Sequence, residues 1–271
     1  MCEALGIPRS SYYKQLNRTE SKRSIENKQF KEEILKIYYD SKKRYGAPKI
    51  HNRLITKGYK ISLKRVQKLM KELDIRSITV KKFNPYKSKN KVEERENVLN
   101  RDFSTTTINE KWVADITYIH TLKDGWCYLS SIMDLHSKKI IGYCFSRNMT
   151  DDIVIKALNN AYSSQRPDKE VILHTDLGSQ YTSKKVEALT QKLNMIQSFS
   201  KKGCPYDNAC IESFHAILKK EEVNHVRYYD YSSAKLSIFK FIESWYNRKR
   251  IHGSINYMTP EECEIKAKNI A

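Results

Sequence analysis

Trp112-Val113-Ala114-Asp115-Ile116-Thr117-Tyr118-Ile119-His120 is dense in β-branched and aromatic side chains, the composition of a strand, yet it carries an aspartate near its centre. An acid there has poor strand propensity and is costly if left unpaired. Downstream, Asp124-Gly125 is a hairpin signal leading into a second extended run, Trp126 to Met133, and Lys139 to Phe145 makes a third. Thr150 with Asp151 and Asp152 then opens a helix to about Tyr162. Val171 to Thr175 forms a short apolar strand ending at Asp176, a helix spans Ser183 to Leu193, and Met195 to Phe199 returns to strand. Three strands in succession, followed by alternating helix and strand, predict an α/β unit with a mixed five-stranded sheet covered by helices.

Further along, Lys201-Lys202-Gly203-Cys204-Pro205-Tyr206 reads as a mobile loop, after which Asp207 or Asn208 is expected to cap a helix carrying Glu212 in its first turns. Phe214 and Leu218 are that helix's buried pair. A last helix from Ser232 to Tyr246 buries Ile238, Phe241, Ile242 and Trp245, and the stretch Asn247-Arg248-Lys249-Arg250-Ile251-His252 is strongly basic.

Upstream of the sheet the period is helical. Leu5 to Lys14 reads as a turn and a helix start, with Ser10 or Ser11 available as a cap. Phe30, Ile34 and Ile37 define a helix over roughly Glu26 to Tyr39, and Ile50 and Leu54 define a shorter one from Ala47 to Lys57, ended by Gly58. Ser62 caps another helix, whose buried stripe is Val66, Leu69, Met70 and Leu73. Its other faces present Lys64, Arg65, Lys68 and Lys71, so the pair joined at Lys57-Gly58-Tyr59-Lys60 is a candidate helix-turn-helix with a basic face for a DNA groove. From Arg76 onward the pattern dissolves into Lys, Asn, Ser and Glu, which reads as a linker. The expected organisation is a helical DNA-binding region over 1–75, a basic linker over 76–108, and a catalytic core with a basic tail over 109–271.

Charge points the same way. The chain of 271 residues has a formal net charge of +19, and residues 1–108 hold 27 Lys and Arg against 12 Asp and Glu. Such an excess attracts polyanions through counterion release. The six cysteines are scattered with no C-x-x-C pair, which favours neither a disulfide framework nor a zinc site. No long apolar run is present, so a soluble, non-secreted, cytoplasmic protein with no membrane association is expected.

Exchanging one phosphodiester for another needs an activated oxygen nucleophile and a sink for charge on the leaving oxygen. Two hard cations about 4 Å apart supply both. Mg²⁺ and Mn²⁺ take oxygen ligands, so the site calls for carboxylates converging from rigid elements. Asp115 within a strand, Asp176 at the end of another and Glu212 at a helix start, where the dipole favours an anion, are the candidates. Taken singly, each reads as an ordinary exposed or hydrogen-bonded acid. Their spacing alters that: 60 residues separate Asp115 from Asp176, and 35 separate Asp176 from Glu212.

With this spacing, five blocks resemble the DDE transposases and retroviral-type integrases, specifically the second-frame (OrfB) transposases of the IS-three family of insertion sequences. They are Trp112 to Tyr118, Met133 to Gly142, His174 to Tyr181, Asp207 to Phe214, and Tyr246 to His252. The resemblance implies a ribonuclease-H-like core in which Asp115, Asp176 and Glu212 bind two Mg²⁺ (or Mn²⁺) ions. It further implies cleavage at the transposon ends and transfer of the freed 3′-hydroxyl into target DNA, with no ATP. The implied partners are terminal inverted repeats and target DNA, further copies of the chain on that DNA, and an upstream-frame (OrfA) protein or fusion. The chain is expected to be the second frame alone. A hydrolysis-only nuclease of the same fold and a DNA-binding regulatory fragment are the competing functions.

Other residues carry lesser expectations. Lys219, seven residues after Glu212, shares its helix face and is expected to point toward DNA; similar enzymes carry a basic residue there. Lys64, Arg65, Lys68, Lys201 and Lys202 are further DNA candidates. Arg248, Arg250 and His252 are expected to grip phosphates. His174 either steers DNA or water or is a satisfied buried histidine. Asp134 is either a competing metal ligand or a structural hydrogen-bond acceptor.

Overall fold

The computed structural model describes residues 6, 8–17, 20–78, 95–201 and 204–270. The chain divides into two compact units, Met1–Ile78 and Thr79–Ala271.

The first unit is helical, with α1 (Arg9–Leu16), α2 (Lys22–Asp40), α3 (Ala47–Thr56) and α4 (Leu63–Glu72). Helix α1 already begins at Arg9, so Ser10 lies inside it and does not cap it. Ser21 and Ser62 cap α2 and α4 by accepting from the backbone N–H three residues on. The stripes read from the sequence meet in one core of Phe30, Ile34, Ile37, Ile50, Leu54, Val66, Leu69 and Met70. The Tyr38 hydroxyl donates to the Arg76 carbonyl at 2.7 Å, drawing the chain after α4 back onto α2.

Of the stretch expected to be a linker, residues 79–94 lie outside the described residues, while 95–108 lie on the second unit. Leu99 is buried, its N–H donates to Ser198 Oγ at 2.9 Å, and the Phe199 N–H donates to the Glu96 carbonyl at 2.9 Å.

The second unit is built on strands β1 (Lys111–Thr121), β2 (Gly125–Asp134), β3 (Ile140–Ser146), β4 (Val171–Thr175) and β5 (Met195–Phe199), in the order β3-β2-β1-β4-β5. β1 pairs antiparallel with β2, placing Asp115 opposite Ser131, and β2 pairs antiparallel with β3. β4 runs parallel to β1 and β5, and meets β1 only over Lys111–Val113. The mixed five-stranded sheet read from the sequence is thus present, with β1 at its centre. Beyond Val113, β1 runs past the end of β4.

Alternation along β1 and β2 divides the faces. Trp112, Ala114 and Ile132 face one way, into a core closed by α5 (Asp151–Gln165) and α6 (Lys184–Lys192). Gly142 on β3 allows α5 to sit close, since a Cβ there would fall 2.5 Å from the Ala157 carbonyl oxygen. Asp115 and Ser131 face the other way, toward α7 (Ala209–Glu221), which buries Ile211, Phe214 and Leu218. The chain ends with α8 (Tyr231–Lys240), a π-helical turn over Phe241–Tyr246, and α9 (Pro260–Lys268).

Two local expectations are corrected. The single helix expected to Tyr246 gives way after Lys240 to a π-helical turn in which Phe241, Ile242, Trp245 and Tyr246 are all buried. Asn208 holds the N-cap position of α7, but neither its side chain nor that of Asp207 makes a capping hydrogen bond there. Asp207 is buried and accepts instead from Asn97 Nδ2 at 3.1 Å, Arg101 Nε at 2.6 Å and the Lys201 N–H at 2.9 Å. Asn208 turns its amide to the Ala114 carbonyl at 3.3 Å, satisfying β1 where β4 no longer does.

Candidate active site

The site forms where β1 outruns β4. Val113 pairs with His174, so both strands carry the chain toward Asp115 and Asp176 two residues later, side by side at the same end of the sheet. Asp115 Oδ1 accepts from the Ile116 N–H at 2.7 Å. Asp176 Oδ1 accepts from the Gly178 N–H at 3.0 Å, and a Cβ at Gly178 would come within 2.9 Å of that oxygen. As a residue Asp176 is exposed, yet its carboxyl is pushed up to about 6, first by desolvation and then by the Asp115 charge, against the lowering effect of the Gly178 N–H.

Glu212 lies in the first turn of α7 and is exposed. One turn later comes His215, nearly buried, with Nδ1 3.3 Å from Asp115 Oδ2 and Nε2 2.7 Å from Ser131 Oγ. His215 thus stands between the two, Nδ1 facing the Asp115 carboxylate and Nε2 sharing a hydrogen bond with the Ser131 hydroxyl. His215 and Ser131 were not singled out from the sequence. The Asp124-Gly125 turn fixes the register that brings Ser131 opposite Asp115, and the three-residue step from Glu212 keeps His215 on the same helical side. Among the described residues, no three His, Cys, Asp or Glu side chains already stand close enough to hold a metal ion. The charge-coupled pair is Asp115 with Asp176, and Glu212 is set a turn from the histidine that reaches Asp115. The donors are carboxylate oxygens, the set a hard divalent cation takes.

Lys219 stands two turns beyond Glu212, with Nζ 5.3 Å from the centroid of the Tyr118 ring. Burial depresses its ammonium, and the nearby Asp115 charge offsets this only in part. Asp134 is buried and accepts from the N–H groups of Asn109 and Ser137 and from Ser137 Oγ, each at 2.8 Å, which is the structural alternative.

Several expected DNA contacts are corrected. His174 is fully buried between Ser198 Oγ at 2.9 Å and Ser200 Oγ at 3.0 Å, and desolvation lowers it to about 4; it is the satisfied core histidine. Arg250 is buried, with Nη2 2.9 Å from Glu221 Oε1, and buried His252 packs edge-on to Tyr246. Against the expectation of a phosphate grip, Arg250's charge is paired with Glu221 and both the guanidinium and the His252 imidazole are enclosed. Arg248 is exposed and pairs with Glu261 at 3.3 Å. In the helical unit Lys64 and Lys68 are exposed, whereas Arg65 is held by Glu26 at 3.0 Å and Asn27 at 2.9 Å. Lys201 is exposed, and Lys202 lies outside the described residues.

Residues 106–205 and 193–260 match models of the integrase core domain, and residues 24–83 match the HTH-like domain. The transposase for insertion sequence element IS904 of Lactococcus lactis is 36% identical over 92% of this chain and 98% of its own length. Transposase InsF for insertion sequence IS3A of Escherichia coli is 35% identical over 98% of this chain and 93% of its own length. Among solved structures, the HTLV-2 integrase catalytic core domain in complex with magnesium is similar at 14% identity over 59% of this chain and 99% of that one, with a TM-score of 0.45. Full-length similarity to insertion-sequence transposases, with the HTH-like and integrase-core models falling on the helical unit and the sheet, shows that the chain belongs to the IS3-type family of insertion-sequence transposases.

Proposed function

We propose that this transposase cuts and joins DNA at Asp115, Asp176 and Glu212, which together hold two Mg²⁺ or Mn²⁺ ions. The observation that carries the proposal is the pairing of Asp115 with Asp176: two acids are set side by side, one of them driven up to about 6 by desolvation and the other's charge. Such a pair costs folding free energy when ionised and is relieved by a cation. When bound, the cations supply an activated oxygen nucleophile and absorb charge on the leaving oxygen.

The chain's own residues set the geometry. His215, braced by Ser131, fixes the rotation of the Asp115 carboxylate by holding Oδ2, while the Ile116 N–H holds Oδ1. The Gly178 N–H orients Asp176 in the same manner. Glu212 enters from α7, and the ammonium of Lys219 on that helix attracts the phosphate following the scissile one. Exposed Lys64 and Lys68 of the helical unit, with Lys201 and Lys202, contribute phosphate contacts that position the DNA. Joining two ends calls for more than one copy of the chain on the DNA, and the upstream-frame product supplies end recognition. The action is placed on DNA in the cytoplasm; among the described residues no helix is long and apolar enough to cross a membrane.

The test is cleavage and joining of oligonucleotides carrying the inverted repeats that flank the gene, with Mg²⁺ or Mn²⁺. Asp115→Asn, Asp176→Asn and Glu212→Gln are each expected to lower both steps by about a thousandfold, several kcal/mol of barrier. Undiminished cleavage by any one of them removes that residue from the site.

A further inference from the structure

Beside the acids, the β1–β2 hairpin carries an aromatic group that the proposed chemistry leaves unused. Tyr118 is 49% exposed and Trp126 59% exposed. Their rings meet edge to face at 6.2 Å, His120 meets Trp126 at 5.0 Å, and Tyr128 meets Tyr118 at 6.5 Å. In T-shaped packing one ring turns its edge to a face of the other, so each pair occupies a single ring face and leaves the remaining faces to other partners.

The group is tied to the site on two sides. Tyr118 lies three residues beyond Asp115, about 10 Å along the strand and by alternation on the sheet's other face, reached from the acid around the open edge of β1. Lys219 sits against the Tyr118 ring while feeling the Asp115 charge, so one cation links aromatic ring and acid. β4 stops pairing at Val113, the Asn208 amide holds the Ala114 carbonyl, and from there to the bridge between Thr121 and Tyr228 no strand among the described residues lies along that edge of β1. A polynucleotide strand seated at Asp115 therefore has an open path along β1, with Lys219 for its phosphate and exposed rings for its bases.

We propose that Tyr118 and Trp126, with Lys219 at their inner end, form a stacking platform for unpaired nucleobases of the DNA strand held at the acids. The inference rests on the DNA-cleaving reading above. Exposed aromatic faces beside a cation suit single-stranded nucleic acid, because every base has a π-face and every linkage a charge. The net charge of +19 draws in such a polyanion and repels a second copy of the chain. Paired bases are already stacked, so the platform discriminates in favour of frayed or overhanging ends.

The experiment uses the full chain without divalent metal and a short duplex with a single-stranded thymidine overhang, the same duplex blunt-ended, and the same overhang made abasic. Of the three tryptophans only Trp126 is exposed, Trp112 and Trp245 being buried, so intrinsic fluorescence reports on it. The overhang is expected to quench Trp126 and to bind about tenfold more tightly than blunt or abasic DNA, the range for stacking of a base. Trp126→Ala and Tyr118→Ala should bring that preference toward unity, and Trp126→Phe, followed with 2-aminopurine in the overhang, should restore it. Equal binding of abasic and normal overhangs, or an unchanged preference in both alanine variants, overturns the platform. A wild-type dimer that the same two substitutions dissolve assigns the face to a second copy and also overturns it. If the wild-type chain cleaves inverted-repeat DNA while these signals are absent, only this inference fails; if it cleaves nothing with Mn²⁺, the reading beneath it fails.

Discussion

At the scale of single residues, the neighbouring acids Asp115 and Asp176 carry a cost for the metal-free fold. Asp176 has a folded-state value of about 6 against an ordinary 3.8, so ionising it opposes folding. By linkage that penalty is absent below about pH 4, grows as pH rises and is complete above about pH 6. Asp176→Asn should therefore raise the melting temperature of the metal-free chain by roughly 1–2 °C near about pH 8, a small gain because the exposed residue is screened by solvent, and should give no gain near about pH 4. An equal effect at both pH values would refute this origin. The same protonation should weaken Mn²⁺ binding as pH falls below about 6, measurable by calorimetry. His215→Ala should weaken Mn²⁺ binding by about 10- to 100-fold, with partial recovery in His215→Gln, whereas a purely structural histidine would alter melting and leave metal affinity unchanged. Spacing singled out Asp115, Asp176 and Glu212 in the sequence, and the structure brings the first two to neighbouring strand ends. His215 and Ser131 were not legible there, because their roles exist only once hairpin register and helix α7 bring them to Asp115. Arg250 and His252 mislead for a related reason: a basic tail reads as solvent-facing until Glu221 is seen inside.

At the scale of elements, hydrophobic period placed every strand of the sheet within a residue or two, because burial on alternating positions is a local property of the sequence. What it could not reveal is how closely the elements approach. Gly142 illustrates this: a Cβ there would meet Ala157 O at 2.5 Å and Ala161 Cβ at 2.6 Å, both fixed parts of α5. Gly142→Val is expected to cost about 3 kcal/mol, read as a lowered urea midpoint; an unchanged midpoint would mean that α5 can retreat from the sheet at no cost. The capping of α7 was equally hidden, since Asp207 and Asn208 are good caps by type and are diverted by partners distant in the chain. The π-helical turn after α8 was hidden as well, since its four buried residues also fit one broad face of an α-helix.

At the scale of the whole molecule, the charge predicts how binding responds to salt. Affinity for duplex DNA of unrelated sequence should fall about a thousandfold between about 50 and 200 mM salt, as counterions released by several phosphate contacts are recaptured. A flat response would show that the Lys-rich surface is not the DNA-binding face. The Asp207 cluster matters on this scale too. One carboxylate gathers Asn97 and Arg101, from the stretch preceding β1, together with the backbone of Lys201 at the approach to α7. Burial works to raise Asp207, and Arg101 and the Lys201 N–H outweigh it, so the group stays ionised and firmly tied. In mechanical terms it is a strain relief: a tug transmitted along the polypeptide from residues before 95 is taken up at the root of the helix bearing Glu212, upstream of the strand bearing Asp115. A pull entering at residue 95 meets that anchor before it reaches β1, and the paired strands feel only what the anchor lets through.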